Sequence, residues 1–472
     1  MKGATAADLG LIVPELILVG VALVLLLAAR RIQRGPVAVV GTVAAALAAA
    51  LASGWVLPED PVTGFGGMIS VDGYSQFFKV LISAALALAA LLSVRSAETA
   101  GSARAEYHVL LLLASTGMMF AASARDLLTL YLGLELMTLC SYVLVGITVG
   151  RPRATEGAIK YFLLGSFASA LLLYGISLTY GLTDGTDYAT ISAALTAGDL
   201  GENPLLLVAI GLVAAGLAFK IAAVPFHSWA PDAYQGASAP VAAFLAAGSK
   251  AAGLAALGRI CVVAFEPETR VVSLVLAGLA ALSVLVGSLL ALPQTDMKRL
   301  LAYSSIAHAG YALLGLLSGA EGASATMTYA CFYVFMTLGA FGVVIALGER
   351  GERLEGYEGL AAQRPVTAAL LLLFLLSLTG IPPTAGFAAK FVVILSAVRA
   401  GHVALAVLAV VCSVISAFIY LRVAVLMYMK EPREPEPARL PVAISTALAV
   451  AALVTLVGGV FPGSLAPWAV SP

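Results

Sequence analysis

The sequence predicts an all-α polytopic membrane protein: about fourteen transmembrane helices forming a single membrane domain, with two inverted five-helix repeats that each contain a broken helix. Three observations predict it. Of 472 residues, 61% are hydrophobic and 11% charged, where a soluble domain carries roughly 25% charged residues. Apolar runs of about 20 residues follow one another with short polar stretches between them, the length that crosses a hydrocarbon core roughly 30 Å thick. Two of these runs are interrupted by Gly and Pro in corresponding places, the pattern of inverted repeats with a pathway at the breaks.

In chain order, helices are expected at about 11–29, 36–57, 76–95, 108–123, 126–149, 157–180, 204–224, 240–263, 272–291, 299–318, 323–347, 365–398, 403–428 and 440–459. The first run is followed by Arg30, Arg31 and Arg34, whereas a secretory signal carries its charge ahead of its apolar core, so this run is expected to be retained. Residues 1–107 hold the first three helices, 108–263 the first repeat, 272–428 the second, and 440–459 the last helix.

Cytoplasmic loops are enriched in Lys and Arg. Alternate connections hold Arg30, Arg31 and Arg34; Arg95 and Arg104; Arg151 and Arg153; Lys298 and Arg299; Arg350, Arg353 and Arg364; and Lys430, Arg433 and Arg439. The remaining connections hold little beyond Arg125, Arg270 and Arg399, and a loop at 181–203 is acidic, with Asp184, Asp187, Asp199 and Glu202. This asymmetry places both termini on the outer, periplasmic side of a bacterial inner membrane.

The two broken segments are GLAFKIAAVPFHSWAPDAYQGASAP, with Pro225, Pro231 and Pro240, and SLTGIPPTAGFAAKF, with Gly380, Pro382, Pro383 and Gly386. Proline removes a backbone donor and clashes with the preceding turn, so each should contain an unwound stretch. Each also carries a lysine, Lys220 or Lys390.

Several function classes are excluded. Lys plus Arg and Asp plus Glu both number 26, and no basic arm suggests nucleic acid. Cys140, Cys261, Cys331 and Cys412 lie singly in apolar runs without metal-type spacing and read as inert buried thiols. Neither a dinucleotide-binding glycine fingerprint nor a P-loop is present.

Charged groups at mid-membrane cost at least ~2.5–3.5 kcal/mol, so they are functional candidates by default. Glu135, Lys220, Lys250 and Lys390 all lie deep in apolar runs. Burial favours a neutral amine and a nearby carboxylate favours the ammonium, so a Lys–Glu pair that opens and closes is a proton switch. His308, about ten residues into its helix, is placed to relay protons between Lys250 and Lys390, the alternative being a hydrogen-bonded core histidine. His227 is expected at the inner mouth, and His108 and His402 at helix ends in the interface. Lys79 is read as snorkelling from a helix start, Glu156 and Lys160 as a pair one turn apart, and Arg422 as a partner for an acid on a neighbouring chain.

At these residues the chain resembles the antiporter-like membrane subunits of proton-pumping NADH-quinone oxidoreductase, respiratory complex I, which are related to Mrp sodium/proton antiporter subunits. LLTLYLGLELMTLCSYVLVG, KIAAVPFHSWAPDAYQGASAPVAAFLAAGSKAAG and DMKRLLAYSSIAHAGY carry the resemblance, which covers essentially the whole chain. Lys390 and the absence of a long lateral helix after the last span fit the N-type subunit. The resemblance implies a proton path with Glu135 and Lys220 as coupling pair, Lys250 as central relay, His308 as connector and Lys390 as exit-side donor. It further implies no cofactor or metal on this chain, with NADH, FMN, iron-sulfur clusters and quinone on partner subunits. Expected partners are neighbouring antiporter-like subunits, the quinone-reducing arm and the lipid bilayer. Two alternatives stay open: an Mrp-like Na+/H+ antiporter subunit, which sodium dependence would reveal, and a non-transporting membrane scaffold.

Overall fold

The computed structural model describes residues 6–29, 36–58, 60–94, 104–148, 150–198, 203–432 and 440–463. The helices are α1 Ala6–Leu11, α2 Val13–Leu27, α3 Val37–Trp55, α4 Gly73–Leu92, α5 Arg104–Ser123, α6 Leu127–Gly146, α7 Pro152–Thr183, α8 Tyr188–Ala197, α9 Pro204–Lys220, α10 Trp229–Gly236 and α11 Ala239–Ala264. They continue with α12 Thr269–Ala291, α13 Met297–Leu316, α14 Gly319–Leu347, α15 Pro365–Thr379, α16 Ala385–Arg399, α17 Val403–Met429 and α18 Val442–Val460. Among the described residues ten helices are long and apolar enough to cross a membrane, and α2, α8, α9 and α15 are shorter apolar helices.

Burial orders them. α11 and α14 are buried along most of their length, whereas α3, α7, α12, α17 and α18 turn Leu, Val, Phe and Ile outward. An apolar surface of that kind is stable against lipid and not against water. Backbone bridges Ile69 to Ala124 and Asp126 to Asp187 gather the ends of α4, α5, α6 and α8 at one face, here the Asp72 face. Asp296 to Arg353, with Gly359 N–H donating to Leu426 O, ties the ends of α13 and α17 at the opposite face.

Several expectations need correction. The first helix is two, α1 and α2, with Pro14 in the first turn of α2, where proline is tolerated. The loop at 181–203 is largely helical: α7 runs on to Thr183, and Asp187 caps α8 by accepting from Thr190 N–H at 2.8 Å. A short hairpin, β1 Val62–Gly64 paired antiparallel with β2 Ile69–Val71, precedes α4, its turn passing through left-handed φ at Phe65, Gly66 and Gly67. Residues Arg30, Arg31, Arg34, Arg95, Asp199, Glu202, Arg433 and Arg439, used in the orientation argument, lie outside the described residues. All four cysteines are free, Cys261 being only partly buried.

Three polar residues sit differently from their sequence reading. Lys79 does not snorkel: it is fully buried and pairs with Glu15 of α2 at 2.8 Å. His108 is buried rather than interfacial, its Nδ1 3.0 Å from Thr42 Oγ1. Arg422 finds its partners within its own chain, donating to Leu292 O at 2.9 Å and Gln294 O at 2.7 Å. Carbonyls at a helix C-terminus have no intrahelical donor, and the guanidinium supplies one beyond α12.

On the Asp72 face, Arg259 of α11 grips Asp72 through two bonds, at 2.7 and 2.8 Å. Burial alone would raise the Asp72 carboxyl, but Arg259, Ser70 Oγ and the Ser75 N–H together hold it well below the usual carboxylate range. A depressed folded-state value contributes stability that is fully present above the unfolded value near ~3.9 and is lost as pH falls toward the folded one. The stability advantage over Asp72→Asn, read as thermal unfolding in detergent, should stay constant from pH 7 to about 5 and shrink below about 4. An advantage that instead grew on acidification would reverse the sign and refute this assignment.

Candidate functional site

The first cluster joins α6, α7 and α9. Lys220 occupies the last turn of α9, immediately before the unwound segment that leads to α10. Its Nζ donates to Glu135 Oε1 at 3.0 Å, and to Thr138 Oγ1 and Ser169 Oγ at 3.3 Å each. Ser169 Oγ also donates to Glu135 Oε1 at 2.5 Å. The lysine side chain is wholly buried, while that of Glu135 is 18% exposed, so this carboxylate alone of the pair reaches the protein surface. Trp229 closes the break, donating from Nε1 to Phe219 O at 3.1 Å and stacking on Tyr161 with centroids 4.1 Å apart.

The second centre is Lys250 on α11. The backbone widens into a π turn over Leu245–Ser249, directly ahead of the lysine, a feature that recurs at functional sites. Lys250 Nζ donates to Ser305 O of α13. Three residues further along α13 is His308, whose Nδ1 lies 2.6 Å from Tyr329 OH of α14 and whose ring sits 5.2 Å from that of Tyr333. Another three residues on is Tyr311, and Lys390 Nζ lies 4.3 Å from its ring centroid. Residues three apart share a helix face, so Ser305, His308 and Tyr311 form one stripe on α13 leading from Lys250 to Lys390.

Lys390, on the second turn of α16 after the break 380–384, donates to Thr379 O at 2.8 Å and Ser413 Oγ at 2.9 Å. The last residue of α15, at the edge of the break, therefore supplies the carbonyl that receives its ammonium. The structure thus unites Glu135 with Lys220, and Lys250, His308 and Lys390 along α13. Lys220 and Lys250 share no hydrogen-bond partner among the described residues; Gly253 packs α11 against Ile221, next to Lys220, where an added Cβ would lie 2.6 Å from the Ile221 Cγ2 methyl.

On the face opposite Asp72, Lys160 pairs with Glu156 at 2.7 Å, as expected, and with Asp232 of α10 at 2.8 Å. Asp232 also takes Arg299 at 2.6 Å. A polar cavity of about 640 Å³ opens beside them, lined by Arg151, Arg153, Gln235, Asp296, Lys298 and Glu352 among others. His227 lies half-buried in the stretch between α9 and α10. Among the described residues, no group of three or more His, Cys, Asp or Glu is arranged to hold a metal ion.

Sequence reading missed Glu15, Lys79 as a deep charge, and Arg259. Their signal was present, since each is a charge inside an apolar run. Their partners come from segments distant in the chain, 187 residues apart for Arg259 and Asp72.

A buried row of lysines beside broken helices defines an antiporter-type membrane subunit, and comparison with known proteins places it further. The family described as NADH:quinone oxidoreductase/Mrp antiporter matches residues 124–416. NADH-quinone oxidoreductase subunit N of Desulfovibrio desulfuricans is 45% identical, over 98% of this chain and 96% of that protein. A chain of respiratory complex I from Thermus thermophilus superposes with a TM-score of 0.82 at 38% identity, covering 96% of this chain and 98% of its own. A chain of the Mrp complex from Dietzia sp. shares the fold, with a TM-score of 0.85 at 24% identity, over 98% and 96% of the two chains. The chain belongs to this family, in its N-type branch, as a membrane subunit of NADH-quinone oxidoreductase.

Proposed function

We propose that this subunit translocates protons through Glu135, Lys220, Lys250, His308 and Lys390, driven by electron transfer from NADH to quinone in partner subunits. The observation that carries the reading is the wholly buried Lys220 held by a partly exposed Glu135, with a stripe of polar groups leading from Lys250 to Lys390. Each buried charge costs several kcal/mol in a membrane, and a scaffold has no need of three such lysines. Pairing with Glu135 retains the proton on Lys220, and a change at the exposed carboxylate releases it toward Lys250. Ser305 and His308 then offer a route to Lys390, and the charged cavity beside Asp232 is an intake from the opposite face.

The architecture supports two inverted repeats, at 108–263 and 272–428, within fourteen spans: each half has a broken helix, with Lys220 just before one break and Lys390 just after the other. Both termini then lie on the periplasmic side of a bacterial inner membrane. Redox groups, namely FMN, iron-sulfur clusters and quinone, belong to partner subunits, and the neighbours are antiporter-like subunits and the quinone-reducing arm.

Affinity purification of the tagged chain is expected to recover a large assembly with NADH-quinone activity that does not need sodium. Within it, Lys250→Ala should assemble normally and lose about half or more of proton uptake per NADH oxidised. Full proton uptake in that variant would reject the pathway, and strict sodium dependence would favour the antiporter alternative.

A further inference from the structure

Outside the row just described, the four helices α2 to α5 enclose a second set of buried polar groups. Glu15 and Lys79 are 1% and 0% exposed and lie 2.8 Å apart. On α4, Gln76, Lys79 and Ser83 fall at spacings of three and four, on one helix face; on α5, Ser115 and His108 are seven apart and likewise share a face. All are buried.

Beyond the Glu15–Lys79 pair itself, Glu15 Oε2, both amide atoms of Gln76, Ser83 Oγ, Ser115 Oγ and His108 Nε2 have no hydrogen-bond partner among the described residues. Native interiors satisfy such atoms, and where protein does not, ordered water does. The helices fix their depth. Asp72 caps α4, and the bridge from Ile69 to Ala124 sets the end of α5 at the same face. At about 1.5 Å per residue, Gln76 lies about 6 Å below that face, Lys79 about 10 Å, Ser115 about 14 Å, Ser83 about 16 Å and His108 about 24 Å. Polar groups therefore recur at steps of about 2 to 8 Å through most of a core roughly 30 Å thick.

We propose that α2 to α5 carry a second, hydrated proton column, with Glu15–Lys79 as its proton-binding site. Transfer of a proton from the Lys79 ammonium to the Glu15 carboxylate leaves two neutral groups. The amine then takes a proton from water on one side of the pair, and the carboxylic acid returns one to water on the other, restoring the ion pair with one proton moved. Until that exchange occurs the pair interrupts the column, so the membrane does not leak through it. The column stands apart from the row of Lys220, Lys250 and Lys390, and neither depends on the other for its chemistry.

The test uses the whole reconstituted complex. The double variant Glu15→Gln with Lys79→Met removes both charges together, a change that a purely structural buried pair tolerates. The proposal expects assembly and NADH oxidation to persist while protons moved per NADH fall by at least a fifth. It also expects the exchange Glu15→Lys with Lys79→Glu to restore at least half of that loss. An unchanged proton ratio in the first variant overturns the proposal. Should that variant not assemble, hydroxyl-radical footprinting of the native complex decides: modification of buried Lys79 and His108 supports a water-filled column, and their protection overturns it. Lys250→Ala, measured in parallel, keeps the two readings apart, because its failure to reduce pumping bears only on the central row.

Discussion

Lys220→Ala is expected to cut proton uptake per NADH oxidised about twofold or more in the assembled complex. The change strips Glu135 of its only ammonium partner among the described residues and leaves the carboxylate with Ser169 Oγ. Breaking a buried pair from one side costs about 3–5 kcal/mol when the other charge stays fully buried; with Glu135 18% exposed, water recovers part of this and assembly should survive. Lys220→Arg separates charge from chemistry. Arginine can pair with Glu135 but does not release its proton at physiological pH, so assembly should match the native complex while proton uptake stays as low as in Lys220→Ala. The measurement is proton uptake into proteoliposomes during NADH oxidation. Native pumping in Lys220→Arg would mean that Lys220 holds the helices together and carries nothing.

Gly386→Ala should have the largest effect on assembly. A Cβ at this position would sit 1.7 Å from Ser377 O and 2.6 Å from its carbonyl carbon, and neither is the tip of a flexible side chain. The Gly386 N–H meanwhile donates to Ser377 Oγ at 3.0 Å, so α16 starts pressed against the end of α15. Relief requires the two half-helices to separate, and Lys390, one turn further on, would leave Thr379 O and Ser413 Oγ. Overpacking of this kind costs about 1–3 kcal/mol where side chains can yield and more where backbone must. Recovery of intact complex should fall severalfold, whereas Gly20→Ala, with nothing within 4 Å of the added carbon, should be neutral. Equal recovery of both variants would show that the break tolerates a wider gap.

The main features of the site were readable because each leaves a local mark. A glutamate or lysine in the middle of an apolar run declares itself, and prolines announce an unwound stretch wherever the helix packs. Pairing is a different kind of information. Lys79 lies seven residues from the cap of α4, close enough to a helix start for the snorkelling interpretation, and only the packing of α2 beside it supplies Glu15 and buries the pair. Arg422 looked like a residue in want of an external acid because carbonyls beyond the end of another helix leave no signature in composition. The helix α8 was hidden by acidic residues that serve as caps and flanks. Three-residue strands are too short for alternation to be visible, which concealed the hairpin before Asp72.

The π turn over Leu245–Ser249 has a consequence for how α11 tolerates change. One residue in an α-helix advances the azimuth by about 100°, and a π turn absorbs an extra residue without lengthening the helix in proportion. Positions before and after it therefore belong to two helical wheels out of phase with each other. The bearing of Lys250 toward Ser305 is set by the number of residues in that turn, more than by which residues they are. Point substitutions there preserve the phase, whereas deletion of a single residue would swing the lysine toward a different wall of the helix bundle.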